Sequence, residues 1–280
     1  MKTQNRILTL FLGLLLPYIG LCQIPDIGLI GGGGYYFGDV GRSYNIVPKN
    51  IFYGGFIRHN FNKHFSIRAT ILKGEVSADD NDSKRDFRQN RNLSFKSPIT
   101  EFSTQIEFNF FPYKIGTKHN KTTYVFLGVG VLGYNPMGEF NGEWYDLRPL
   151  CTEGQGLNSV NNIKPYSKVA ICMPFGVGYK HSFSKRFSCS LEWGLRKTST
   201  DYLDDASGVY FDTNTLSFEY GLASAYFSDP SGNGIDKSGQ QRANSKNKDW
   251  YSIMAFTFSY KLWSKPEACN RFDLLFQRND

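Results

Sequence analysis

Along this chain apolar and polar residues take turns. From residue 186 to 197 the apolar set Phe187, Cys189, Leu191, Trp193 and Leu195 alternates with Arg186, Ser188, Ser190, Glu192 and Arg196. A period of two is that of an extended strand, whose successive side chains leave opposite faces. The same parity sets Phe102, Ile106, Phe108 and Phe110 against Ser103, Gln105, Glu107 and Asn109. It sets Ile171, Met173, Phe175, Val177 and Tyr179 against Ala170, Cys172, Gly176, Gly178 and Lys180. Trp250, Met254, Phe256, Phe258, Tyr260 and Leu262 share a further face. With the runs near 27–38, 51–61, 64–76 and 123–134, the pattern predicts eight strands. Each has about ten to thirteen residues, a length that crosses a bilayer at a steep tilt.

The links between the runs carry a second regularity. Only "NK" separates the second and third runs, and "SFSK" the sixth and seventh; "PYKIGTKHNKTT" is of moderate length. The other links, 39–50, 77–98, 135–165 and 199–249, are long. Strict alternation of long and short links is the habit of outer-membrane barrels. The predicted fold is all-β: an eight-stranded antiparallel up-and-down transmembrane β-barrel with long outer loops and short periplasmic turns. An eight-stranded barrel is just wide enough for side chains to fill it. Arg58, Arg68, Glu107, Glu192 and Arg196 are therefore expected to form an interior charge network, with Glu192 and Arg196 one pair within it. The rival is a soluble lipocalin-type barrel, which would put the apolar set inside. A short helix is expected only in the last loop, over 216–227.

Composition changes the picture in one respect. A mean hydropathy of −0.39 reads as soluble, yet 24 Phe, 17 Tyr and 28 Gly point to β structure. The amino terminus has Lys2 and Arg6 before an apolar run from Ile7 to Leu16. That is the layout of a secretory signal, with cleavage expected before Gln23; the run is too short for a membrane anchor. Acylation of Cys22 is the minor alternative, because Leu21 before it is a poor small-residue site. The expected domains are a signal peptide at 1–22, the barrel at 23–263 and a short periplasmic tail at 264–280. Cys151, Cys172, Cys189 and Cys269 make no disulfide framework in a chain this long, and Cys172 and Cys189, facing opposite ways, are expected as free thiols.

Few residue patterns in the chain offer chemistry. "GGGG" at 31–34 lies inside a strand without a following Lys-Ser/Thr or a helix, so it marks close backbone approach rather than a phosphate loop. "DDND" at 79–82 and "DYLDD" at 201–205 lack the glycine and terminal glutamate of a calcium loop and read as solvated loops. His59, His64, His119 and His181 all fall at the short-turn end, where a structural role is expected. A lipid-modifying enzyme remains the third reading, with no base and nucleophile paired to support it. No catalytic residue, cofactor, metal or nucleic-acid partner is expected; membrane lipid is.

Charge is one-sided. The four long loops sum to a net −4, whereas the short-turn end carries Lys114, Lys118, Lys121, Lys185 and Arg186, with Lys63, Arg58 and Lys180 nearby. Such a field suits an acidic periplasmic partner or lipid phosphates.

Several segments resemble a known family. "GGYYFGDV", "FIRHNFNKHFSIRATILKGEVSADD", "RNLSFKSPITEFSTQIEFNFFPY", "YVFLGVGV", "PFGVGYKHSFSKRFSCSLEWGLRKTSTDYLDDASGVYFD" and "NKDWYS" occur in this order. Together, over about 28–262, they resemble the PorG-like family of Bacteroidetes outer-membrane barrels. The resemblance implies an outer-membrane structural component of type IX protein secretion, associated with a periplasmic ring lipoprotein. The five basic residues at 114, 118, 121, 185 and 186 are then the expected docking edge. "QRAN" at 241–244 and Cys151 depart from the family pattern in the outer loops only. The alternative is a stand-alone OmpX-like barrel whose outer loops bind an external ligand.

Overall fold

The computed structural model of the chain describes residues 25–41, 48, 50–157 and 164–262. The expected signal peptide at 1–22, the tail at 264–280, Cys22 and Cys269 lie outside them. Within the described residues the strands are β1 (Asp26–Phe37), β2 (Asn50–Asn60), β3 (Phe65–Asp79), β4 (Ser94–Asn109), β5 (Lys121–Tyr134), β6 (Met137–Phe140), β7 (Glu143–Asp146), β8 (Val169–Ser182), β9 (Phe187–Thr198) and β10 (Trp250–Lys261). Eight of them follow one another in antiparallel order β3-β2-β1-β10-β9-β8-β5-β4, and β4 returns to β3. The ring is closed and up-and-down, as the link pattern predicts. Closure leaves no sheet edge, which strands in hydrocarbon require because nothing there satisfies a free backbone group. β6 and β7 are a hairpin in the third long link that pairs with β4 at Lys96↔Met137.

Facing decides between the two barrels. Ile51 is 74% and Leu29 70% exposed, and Ile106, Val129, Ile171, Leu191 and Phe256 also point outward. Arg68 and Glu107 are fully buried inside. Apolar outside and charged inside is the reverse of a soluble barrel, so the chain is a transmembrane β-barrel. The lipocalin reading fails on this point.

The interior is not uniformly polar. Its short-turn half holds most of the charges, but its long-loop half is filled by Phe52, Leu72, Val76, Ile99, Leu132 and Ile253 around the pair Arg196–Glu101. Room for the rings comes from glycine. A Cβ at Gly34 would overlap the ring of Phe52, and one at Gly28 the ring of Phe56. The run of glycines thus serves close packing, here of ring against backbone.

Two boundaries differ from the alternation. β3 continues to Asp79 and β4 begins at Ser94, because the two strands keep pairing from Glu75↔Pro98 to Asp79↔Ser94. Lys96 and Pro98 interrupt the apolar rhythm there and conceal the strand in the sequence. The long loops are also more ordered than expected. Helices span Asp86–Arg91, Leu147–Leu150, Thr213–Tyr220 and Leu222–Ser228. The helix expected over 216–227 is two helices, broken at Gly221 with φ 88°.

Candidate functional site

Three clusters carry polar chemistry, and the first is the plug in the short-turn half of the barrel. Glu107 on β4 is its centre: Arg58 lies 2.9 Å away, Arg68 3.2 Å, and Lys180 also contacts it. Arg58 reaches back to Asp26 at 2.9 Å. Arg68 reaches on to Glu192 at 2.7 Å, and the Tyr124 hydroxyl donates to the same carboxylate at 2.6 Å. All five expected interior residues are buried in the lumen, Arg58, Arg68, Glu107 and Glu192 in this plug and Arg196 nearer the long-loop end. One pairing is corrected: Glu192 binds Arg68, not Arg196. Arg196 instead pairs with Glu101 at 3.4 Å and donates to the Gly194 carbonyl at 2.8 Å. Residues four apart on a strand are about 13 Å apart along it at 3.3 Å per residue, so each finds its partner across the lumen.

Sequence reasoning missed Asp26, Glu101 and Lys180 as members of this network. Glu101 shares the odd parity of Ser103, Gln105 and Glu107, and Lys180 the even parity of β8, so both were visible as inward positions. Lys180 belongs inside the barrel rather than on its basic edge. With these three, four cations face four carboxylates in the strands. Such a plug is electrically neutral and fills the passage.

The second cluster is the basic short-turn end. Lys114 and Lys118 in turn 110–120, Lys121 at the start of β5, and Lys185 and Arg186 in turn 183–186 are all exposed. The two turns meet directly. Gly116, at φ +79°, sits so close to the Lys185 backbone that a Cβ there would overlap it, and its N–H donates to Ser182 Oγ at 3.1 Å. Tyr113 and Ile115 are buried beneath, so the turn folds in over the lumen and turns its lysines outward. The Tyr113 N–H donates to the Lys63 carbonyl at 3.0 Å, bringing a third turn to the same face. His64 Nδ1 lies 2.8 Å from the Asn109 carbonyl, in keeping with the structural role expected of it.

The third cluster caps the long-loop end, and it corrects the reading of the acidic motifs as solvated. Asp80 of "DDND" is fully buried and holds Arg91 at 2.7 Å. In "DYLDD", Asp201, Asp204 and Asp205 are buried. Asp205 accepts from the hydroxyls of Thr152 and Tyr166. Glu153 accepts from the Ser207 N–H at 2.9 Å and holds Arg242 at 2.8 Å. These carboxylates tie the third and fourth loops together.

Within the cap, the Tyr36 hydroxyl lies 2.7 Å from Asp204 and 2.7 Å from Asp249. A phenol has one proton, so it donates to one carboxylate only; the other contact is favourable when that carboxyl carries a proton and donates to the phenol oxygen. Burial acts in the same direction. It pushes the Asp204 carboxyl up to about 7 and Asp249 well above the usual carboxylate range. Burial likewise raises Asp201 and Asp205 to about 6. Among the described residues no group of three or more His, Cys, Asp and Glu is placed to hold a metal ion. Cys151, Cys172 and Cys189 are free thiols.

No curated protein matches the chain in sequence. Among solved structures it is similar to the outer membrane protein OprG of Pseudomonas aeruginosa, at 10% identity and a TM-score of 0.38, over 86% of this chain and 98% of that one. It is also similar to the N-terminal β-barrel domain of Pseudomonas aeruginosa OprF, at 11% identity and a TM-score of 0.35, over 85% of this chain and 98% of that one. A family model matches residues 5–228, and the chain belongs to that family, DUF6089, a domain of unknown function.

Proposed function

We propose that this barrel lies in an outer membrane as a non-enzymatic structural and docking component of the type IX secretion machinery, contacting a periplasmic ring lipoprotein. The observation that carries the reading is the meeting of turns 110–120 and 183–186, which brings five exposed cations to one end of the barrel. A neutral, filled lumen supports a part that holds a position over one that conducts. The sequence resemblance to PorG-like barrels supplies the machine, and the basic face supplies the surface for an acidic partner. In this orientation the acidic loop cap faces outward and the basic turns face the periplasm.

The test has two arms. Deleting the gene and following type IX cargo in the medium should show cargo retained in the cells. Replacing Lys118 and Lys185 by glutamate in the chromosomal copy should weaken co-purification of the ring lipoprotein while leaving the barrel folded. Unchanged cargo export on deletion would sink the secretion role. Full co-purification by the charge-reversed barrel would remove the basic face from it.

A further inference from the structure

The loop cap contains a cleft of about 600 Å³ between the helix Asp86–Arg91 and segment 233–244. Ligand sites fall in the range of roughly 300–1,000 Å³. Four cations line it: Arg88, Arg91, Lys237 and Arg242. Three of them are already held by carboxylates of the fold: Arg91 by Asp80 at 2.7 Å, Lys237 by Asp229 at 2.9 Å and Arg242 by Glu153 at 2.8 Å. Asp39 is a fourth carboxylate, on the lining itself. The charges balance, so the cleft makes no strong demand for a phosphate or sulfate.

Its rim is amide and aromatic. Asn90, Asn233, Gln240 and Gln241 are exposed along the lining, and the ring of Phe87 is 58% exposed beside them. Side-chain amides both donate and accept, which matches adjacent hydroxyl groups, and an exposed aromatic face suits the C–H face of a sugar ring. The walls are fixed. The Tyr210 N–H donates to the Gln240 carbonyl at 2.9 Å, and Arg91 Nη1 to the Arg242 carbonyl at 2.7 Å. A site held rigid before binding loses less entropy when it binds.

We propose that this cleft binds a neutral oligosaccharide, with Phe87 against a sugar ring and the amides of Asn90, Asn233 and Gln240 on its hydroxyls. An apolar ligand would find few buried apolar walls, and an anion would meet cations already neutralised. The full chain, folded in a detergent without a sugar headgroup, is presented to an array of free neutral hexose and N-acetylhexosamine oligosaccharides. Sulfated and sialylated counterparts are printed beside them, and hits are titrated by calorimetry. Neutral oligosaccharides should bind, and Phe87→Ala and Gln240→Ala should each weaken binding at least tenfold. Neither residue makes one of the ion pairs, so the heat-dependent gel mobility of the barrel should stay unchanged and separate lost binding from lost folding. Absence of neutral binding, binding by the acidic counterparts alone, or full affinity in both variants overturns the proposal. The docking role at the opposite end does not depend on it.

Discussion

Glu107 is where the interior charge balance is most exposed to perturbation. Arg58, Arg68 and Lys180 all contact its carboxylate, at 2.9 Å for Arg58 and 3.2 Å for Arg68, and its side chain is fully buried. Glu107→Gln keeps the shape and removes the charge, leaving four cations facing three carboxylates in the lumen. Taking one member from a buried ion pair costs about 3–5 kcal/mol, because the charge left behind is neither hydrated nor compensated. At about 1.4 kcal/mol per factor of ten, that is roughly two to four orders of magnitude in the folding equilibrium.

Lys180 offers the internal control. Lys180→Met added to Glu107→Gln returns the lumen to three cations and three carboxylates and should recover much of the loss. Thr104→Ala, on the outer face of the same strand, should stay within about 0.5 kcal/mol of the parent, as substitutions away from such networks do. Urea unfolding in lipid vesicles, followed by tryptophan fluorescence and by the heat-dependent shift in gel mobility, measures all of them. A Glu107→Gln barrel as stable as the parent, or a double variant less stable than the single one, would refute the claim that these charges hold one another.

Leu191 is half-exposed on the lipid face; Leu191→Arg should cost roughly 2–4 kcal/mol near the bilayer midplane, whereas Ser190→Ala, which loses one hydrogen bond to Thr257, should cost about 1 kcal/mol. A harmless Leu191→Arg would reverse the faces. In planar bilayers the purified barrel should give no stable large conductance, since charged and apolar side chains fill the lumen; porin-like steady currents would contradict the plug. The cap should loosen as pH rises. Asp204 has a folded value of about 7 against about 3.9 for a free aspartate, so the folded cap binds more protons between those values and its stability falls across that window. Amide exchange at Leu203 and Ala206, whose N–H groups donate to Asp249 and Asp204, should quicken beyond the intrinsic pH dependence from pH 4 to 8. Asp204→Asn should flatten that excess, and protection that grows with pH would defeat the argument.

What the sequence made legible follows from which forces act locally. The pleat fixes facing by parity, so Arg58, Arg68, Glu107, Glu192 and Arg196 were readable as inward from their neighbours alone. Parity gives the face and not the partner. Glu192 and Arg196 share a face, but the strand holds them apart, and their partners Arg68 and Glu101 come from β3 and β4 across the barrel. The aspartates of "DYLDD" mislead for a related reason. A carboxylate in a loop is normally solvated, and burial becomes tolerable only when donors arrive from elsewhere: Thr152 and Tyr166 from the third loop for Asp205, and Tyr36 from the end of β1 for Asp204. None of those donors is within thirty residues of its acceptor in the chain, so no local pattern marks the pairing. The short-turn end is the intermediate case. Its lysines were visible as charge, and the turn lengths put them at one end. Their convergence depended on Gly116 lying flat against the Lys185 backbone, a contact that the pairing of β5 with β8 creates. Charge at an end is thus a property of the sequence, while its gathering where the two turns meet is a property of the strand pairing. If the proposed docking face is right, a Gly116→Val barrel, with a branched side chain forced between the two turns at φ +79°, should keep its net charge and its lipid face yet lose co-purification of the ring lipoprotein, as expected of the Lys118 and Lys185 replacements. Full binding by that variant would show that the lysines act one by one and not as an assembled surface.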